Sequence, residues 1–190
     1  MNKIWVLAAI ILLCVLAVSV WFYIGKVGNW ANILGDASKD IVDDGFGNMK
    51  ISSPVFENEE TIPAEFTCNG ANVSPPLKFA NLPSSAESLV LIVDDPDANM
   101  WVHWIVWNIP PNTTGFSKGE NIAFPQGKND FGNQKYDGPC PPSATHGYFF
   151  RLYALDTMLD LKSGATRVQL EAAMSGHIIE QAQLIGTYSK

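Results

Sequence analysis

The stretch SLVLIVDDPDANMWVHWIVWNIPP, residues 88–111, decides the fold. Ser88 to Val93 is a continuous apolar run of strand length, ended by Asp94-Asp95-Pro96. Trp101 to Ile109 is a second run, ended by Pro110-Pro111. A third, Tyr148 to Leu155 (YFFRLYAL), carries Arg151 as its single charge. All three are rich in β-branched and aromatic residues, which suits buried strands. Shorter strand candidates are Ile51 to Phe56, Leu77 to Phe79 and Gln183 to Tyr188. Only Arg167 to Ile179 reads as a good helix. Thr166 can cap it, and Leu170, Ala173, Met174 and His177 share one face, while Gly176 weakens its end. Twelve prolines and fifteen glycines punctuate the chain with turns. The bulk is therefore mainly β with a C-terminal helix.

Composition narrows the function. The chain has 190 residues, 47% hydrophobic and only 16% charged, enough to build a core and too apolar for wholesale disorder. Its net charge of −7 is no basic footprint, so nucleic acid is not an expected partner. Three cysteines exclude a disulfide-framework miniprotein and a four-cysteine zinc site.

The apolar excess is uneven. Ile4 to Ile24 carries no charge, with Trp5 at one end and Trp21 and Tyr23 at the other. As a helix it would run ~32 Å, long enough for a bilayer core of roughly 30 Å. Lys3 precedes it and an acidic stretch with Asp36, Asp40, Asp43 and Asp44 follows, which places the N-terminus inside and the remainder outside. The expected organisation is a transmembrane anchor over 1–25, a Gly/Asn/Asp-rich linker over 26–49 and a folded domain over 50–190. The alternative is a signal peptide cleaved to release a secreted domain. Its apolar core would ordinarily be shorter.

No G-x-S-x-G, H-E-x-x-H, P-loop, C-x-x-C or Rossmann spacing occurs. What remains is a polar set at strand ends. Asp95 and Asp97 follow the first long strand, and His103 lies in the second between Trp101 and Trp104. Gly138-Pro139-Cys140-Pro141-Pro142 is a stiff loop leading to His146 and Tyr148. Each part has a plain structural reading. Asp-rich sequence around Pro96 makes a turn, His103 and Tyr148 fit a core, and His177 belongs to the apolar helix face. Two carboxylates, two histidines and a tyrosine at three consecutive strand boundaries outweigh the separate parts.

Those motifs carry a family resemblance. FTCNGANVSPPL, LVLIVDDPDA, WVHWIVWNIP, NDFGNQKYDGPCPP, THGYFFRLYALD and GHIIEQAQLIGTY occur in order across residues 66–188. Together they resemble the phosphatidylethanolamine-binding protein family, in its bacterial and archaeal, Raf kinase inhibitor-like branch. The resemblance implies a Greek-key antiparallel β-sandwich with a small anion-accepting pocket. It places Asp95, Asp97, Trp101, His103, Cys140, Pro141, Pro142, His146 and Tyr148 in that pocket. It implies no cofactor, no structural metal and no catalytic residue. Two departures stand out: Asn99-Met100 follows Ala98 where many relatives have proline, and Val102 replaces the first of two adjacent histidines.

Histidines and a tyrosine hydroxyl suit a phosphate-type anion, because they donate hydrogen bonds to its oxygens. Asp95 or Asp97 is expected to fix a histidine tautomer and raise its pKa. A carboxylate equally suits an ammonium such as ethanolamine. Two alternatives accompany this reading. One is docking to a protein partner, since relatives inhibit kinases or peptidases in that way. The other is a metal-assisted hydrolase built on Asp95, Asp97, His103 and His146. Cys68 and Cys140 flank pocket-side loops and, in an oxidising compartment, are expected to pair as one disulfide; the alternative is two separate buried thiols.

Overall fold

The computed structural model describes residues 47–190. The expected anchor and all but the last three residues of the expected linker lie outside the described residues. Among the described residues no helix is long and apolar enough to cross a membrane. Met49, expected as the end of the linker, is buried in the core, and its N–H donates to Glu180 Oε1 at 2.6 Å.

Among the described residues, seven strands form two antiparallel sheets. The smaller contains β1 (Lys50–Ser52), β2 (Leu77–Ala80) and β5 (Gly115–Phe116) in the order β1-β2-β5. The larger contains β3 (Ser88–Asp95), β4 (Trp101–Ile109), β6 (Thr145–Leu155) and β7 (Ile178–Ser189) in the order β4-β3-β6-β7. One apolar cluster joins Ile51, Leu77, Phe79 and Phe116 to Leu89, Leu91, Val93, Trp104 and Phe150. A second, on the far face of the larger sheet, joins Val90, Ile92, Val102, Ile105 and Trp107 to Leu170 and Met174 of the helix α1 (Arg167–Met174). Odd and even residues of β3 thus serve different cores, and every residue of that strand is buried. This is why it reads as an unbroken apolar run rather than as an alternation.

The helix is shorter than its sequence suggests. Thr166 caps it as expected, with Gln169 completing a capping box. It ends at Met174 because Gly176 takes a left-handed φ of 83° and turns the chain into β7. Ile178 and Ile179 consequently belong to a strand. His177, expected on the apolar helix face, is instead half-exposed, and its Nδ1 pairs with Asp156 Oδ1 at 2.8 Å.

Candidate functional site

β3 and β4 deliver the first group of side chains. Their pairing runs Val93↔Trp104 and then Asp94↔Val102, so His103 is an extra residue in a bulge. The bulge turns His103 toward the side of the sheet that Trp104 also faces. It also leaves the His103 carbonyl free to accept from the Asp137 N–H (3.2 Å) and Asn129 Nδ2 (3.2 Å). At the end of β3 the two aspartates part company. Asp94, fully buried, accepts from Arg151 Nε (3.1 Å) and Arg167 Nη1 (2.8 Å). Asp95 faces the other way.

A cavity of about 220 Å³ opens there, lined by Asp95, Ala98, Trp101, His103, Phe131, Cys140, Pro141, Pro142 and Tyr148. Asp95 is 3% exposed and already committed: Oδ1 caps the turn Pro96–Ala98 by accepting the Ala98 N–H (3.0 Å), and Oδ2 accepts from His146 Nδ1 (2.7 Å). The His103 Nδ1–H donates to the Asp137 carbonyl at 2.7 Å, which directs Nε2 away from that loop. His103 meets Tyr148 and Phe131 edge to face, with centroids 5.2 and 5.4 Å apart. Phe131 in turn meets Trp101 at 5.6 Å.

Burial decides the protonation states. It holds His103 below the ordinary imidazole range, against the opposing pull of the Asp137 carbonyl and of Asp95. The carboxylate expected to orient a histidine does so at His146, whose Nδ1 meets Asp95, whereas at His103 desolvation outweighs the pull of Asp95 and favours the neutral ring. Burial, reinforced by Asp95, also pushes the Tyr148 phenol well up, so it remains an O–H donor. That hydroxyl is buried and has no hydrogen-bond partner of acceptable geometry among the described residues, although Asp95 and the Cys140 backbone lie near enough to influence its ionisation.

Two residues expected in the ligand set stand outside the cavity wall. Asp97 is exposed, and its Oδ2 accepts the Gly147 N–H at 2.8 Å, tying the turn to β6. His146 stacks on Tyr148 with centroids 6.5 Å apart and reaches the cavity only through Asp95. Asp97 belongs to the turn Pro96–Ala98 rather than to a strand, and His146 lies on the same face of β6 as Tyr148 but two residues nearer the strand end, behind Asp95. Ala98 and Phe131 line the cavity without having been expected. Phe131 lies in a long loop, and the sequence held no signal of where it would land. Among the described residues, no group of three or more His, Cys, Asp or Glu is arranged to hold a metal ion.

The disulfide Cys68–Cys140 joins the cavity wall to the 66–72 loop, with Cα atoms 5.4 Å apart. Three hydrogen bonds parallel it: Cys68 N–H to Pro139 O (3.0 Å), Gly138 N–H to Asn72 Oδ1 (2.7 Å) and Tyr136 O–H to Phe66 O (2.8 Å).

Two packed antiparallel sheets with a small cavity at the strand ends define a β-rich protein of the kind the sequence motifs suggest. Residues 52–189 match the family model described as phosphatidylethanolamine-binding protein, and the chain belongs to that family. A UPF0098 protein of Pyrococcus horikoshii is 50% identical over 154 residues, covering 75% of this chain and 77% of the relative. A UPF0098 protein of Methanothermobacter thermautotrophicus is 47% identical over 152 residues, covering 75% and 99%. The crystal structure of a putative phosphatidylethanolamine-binding protein homologue, CT736 of Chlamydia trachomatis, is similar with a TM-score of 0.73 at 44% identity, covering 75% of this chain and 97% of that one. YbcL of E. coli, described as a member of the mammalian family, gives 0.71 at 26% identity, covering 76% and 99%.

Proposed function

We propose that this protein binds small phosphate-type anions, free or as a phospholipid headgroup, in the cavity between His103 and Tyr148. The observation that carries the reading is the buried Tyr148 hydroxyl without a partner. A buried polar group left unsatisfied costs about 1–3 kcal/mol, a cost a ligand oxygen removes. An anion accepting from Tyr148 Oη also gives His103 Nε2 a reason to take up a proton and donate a second bond. No Lys or Arg lines the cavity, and the Asp95 carboxylate does. The site therefore favours a monoanion, the charge state of a phosphodiester headgroup and of dihydrogen phosphate, over a dianion. This chemistry is recognition rather than phosphoryl transfer, which ordinarily needs a cationic clamp. The proposal includes the Greek-key sandwich of the family for residues 50–190. It also includes an N-terminal membrane anchor holding that domain on the extracytoplasmic side, on the hydropathy of residues 4–24 alone.

Chemical-shift titration of the protein with inorganic phosphate and with phosphoethanolamine tests the site. Shifts centred on His103 and Tyr148, stronger at pH 6 than at pH 8, are expected. An equal response in His103→Ala and wild type defeats the assignment.

A further inference from the structure

A second concavity, about 610 Å³, lies on the other side of the same edge strand. Trp101 and His103 of β4 face the ligand cavity, whereas Val102 between them faces this groove. One wall is the 128–132 loop, latched to β4 by Val102 N–H to Asp130 Oδ2 (2.7 Å) and Asp130 N–H to Val102 O (3.0 Å). The other wall is the first turn of α1 with Arg167 and Val168. The backbone edge of β4 is thereby covered, so an occupant must bind through side chains.

Three features set this groove apart. Met100, Phe131 and Val168 line it and are 39%, 44% and 75% exposed, three of only eight exposed large apolar side chains among the described residues. Met100 reaches it from two successive left-handed residues, Asn99 (φ 58°) and Met100 (φ 62°), a conformation that costs a β-carbon residue energy. Lys128 lies along the loop wall with no carboxylate partner among the described residues, its stem passing 3.8 Å from where a Gly132 side chain would begin. Lys128 and Arg167 against Asp130 give the groove lining a net positive charge, whereas residues 50–190 hold nine basic against fifteen acidic side chains.

We infer that this groove is a docking site for a protein segment that presents an apolar side chain flanked by a carboxylate. The apolar side chain packs on Met100 and Val168, where an unbranched thioether adapts to varied shapes. The carboxylate meets Lys128, in line with the charge of the groove wall. An anionic membrane is the poorer fit, because the net acidic domain repels it and one lysine does not make a basic cluster.

Selection from a random peptide library on the full chain tests the inference. Enriched peptides should combine an aliphatic or aromatic residue with Asp or Glu within two positions. Their affinity should fall at least tenfold in both Lys128→Glu and Val168→Asp, and should be unchanged by saturating inorganic phosphate, which reads the other cavity. Both substitutions are at exposed positions, so a far-ultraviolet spectrum and an unchanged phosphate titration certify the fold. Peptides with no acidic-apolar signature, or with equal affinity for both variants, overturn the inference. So does a self-associated state that Val168→Asp dissolves, or co-sedimentation with phosphatidylglycerol vesicles that Val168→Asp abolishes.

Discussion

The imidazole of His103 and the phenol of Tyr148 stand edge to face, 85° apart in plane and 5.2 Å between centroids, although one comes from a bulge in β4 and the other from β6. The contact buries both rings, leaves the Tyr148 hydroxyl unpaired and suppresses charge on His103. On the proposed reading, this state trades folding stability for readiness to bind.

Tyr148→Phe should separate the two quantities. Removing an unsatisfied buried hydroxyl should leave the domain as stable as wild type or more stable by about 1 kcal/mol. Phosphate affinity should fall about one to two decades, the worth of a charged hydrogen bond. Urea denaturation and phosphate titration on the same samples read both effects. A variant that is destabilised yet binds normally would show the hydroxyl to be a structural group.

The pH dependence follows from His103. Its folded pKa lies below the unfolded value of 6.5 because of burial, so the unfolded chain holds more protons between the two values. The contribution to stability is complete above about pH 6.5, declines as pH falls through that window and levels off below the folded value. Anion affinity should move oppositely, rising as pH falls, with a proton taken up on binding. His103→Asn should flatten both curves. Calorimetry in buffers of differing ionisation enthalpy counts the proton.

Asp95 and His146 form a largely buried pair at 2.7 Å beside the cavity, with Asp95 also capping the turn Pro96–Ala98. Asp95→Ala should cost about 2–4 kcal/mol, joining a lost cap to a lost charged hydrogen bond. His146→Ala should cost less, about 1–2 kcal/mol, and should alter phosphate affinity only through Asp95. In a double-mutant cycle the coupling should be about 1 kcal/mol or more. Additive losses would show that the contact contributes little.

How far the sequence foretold this can be traced in particular residues. The strands 88–93 and 101–109 were legible because both of their faces are buried, and 148–155 because its partly exposed face still carries Phe149 and Tyr153, so each reads as an apolar run. β7 was the least legible. It runs for 12 residues, but Glu180, Gln181 and Gln183 dilute its apolar pattern, and a helical stripe running through Ile179 claimed its start. At the site, strand ends pointed to Asp95, Trp101, His103 and Tyr148, which the fold brings around one cavity. Spacing alone could not reveal the bulge that turns His103, nor that Phe131 would fold back against Trp101. The sign of the His103 shift was equally hidden. It depends on how much water the neighbouring loops exclude, a three-dimensional quantity with no signature in residue order.

The last prediction concerns the disulfide. Cys68 and Cys140 are 72 residues apart, so closing that loop restricts the unfolded chain by roughly 4 kcal/mol on chain entropy alone. Replacing both with serine should therefore lower stability, by about 2–4 kcal/mol once unfolded-state structure is allowed for. The cavity should survive the loss. The bonds from Cys68 N–H to Pro139 O, Gly138 N–H to Asn72 Oδ1 and Tyr136 O–H to Phe66 O hold the same two loops together without sulfur. Pro139, Pro141 and Pro142 further restrict the loop. Phosphate affinity at 25 °C should consequently fall only a few-fold, through a looser Cys140 backbone beside Tyr148. Guanidinium denaturation of the Cys68→Ser, Cys140→Ser variant, paired with a phosphate titration, reads the two effects separately. Wild type should show no alkylatable thiol at these positions until it is reduced. An unchanged denaturation midpoint would mean that the disulfide contributes nothing to stability. A complete loss of binding in a folded variant would mean that the disulfide, and not the hydrogen-bonded loops, shapes the cavity.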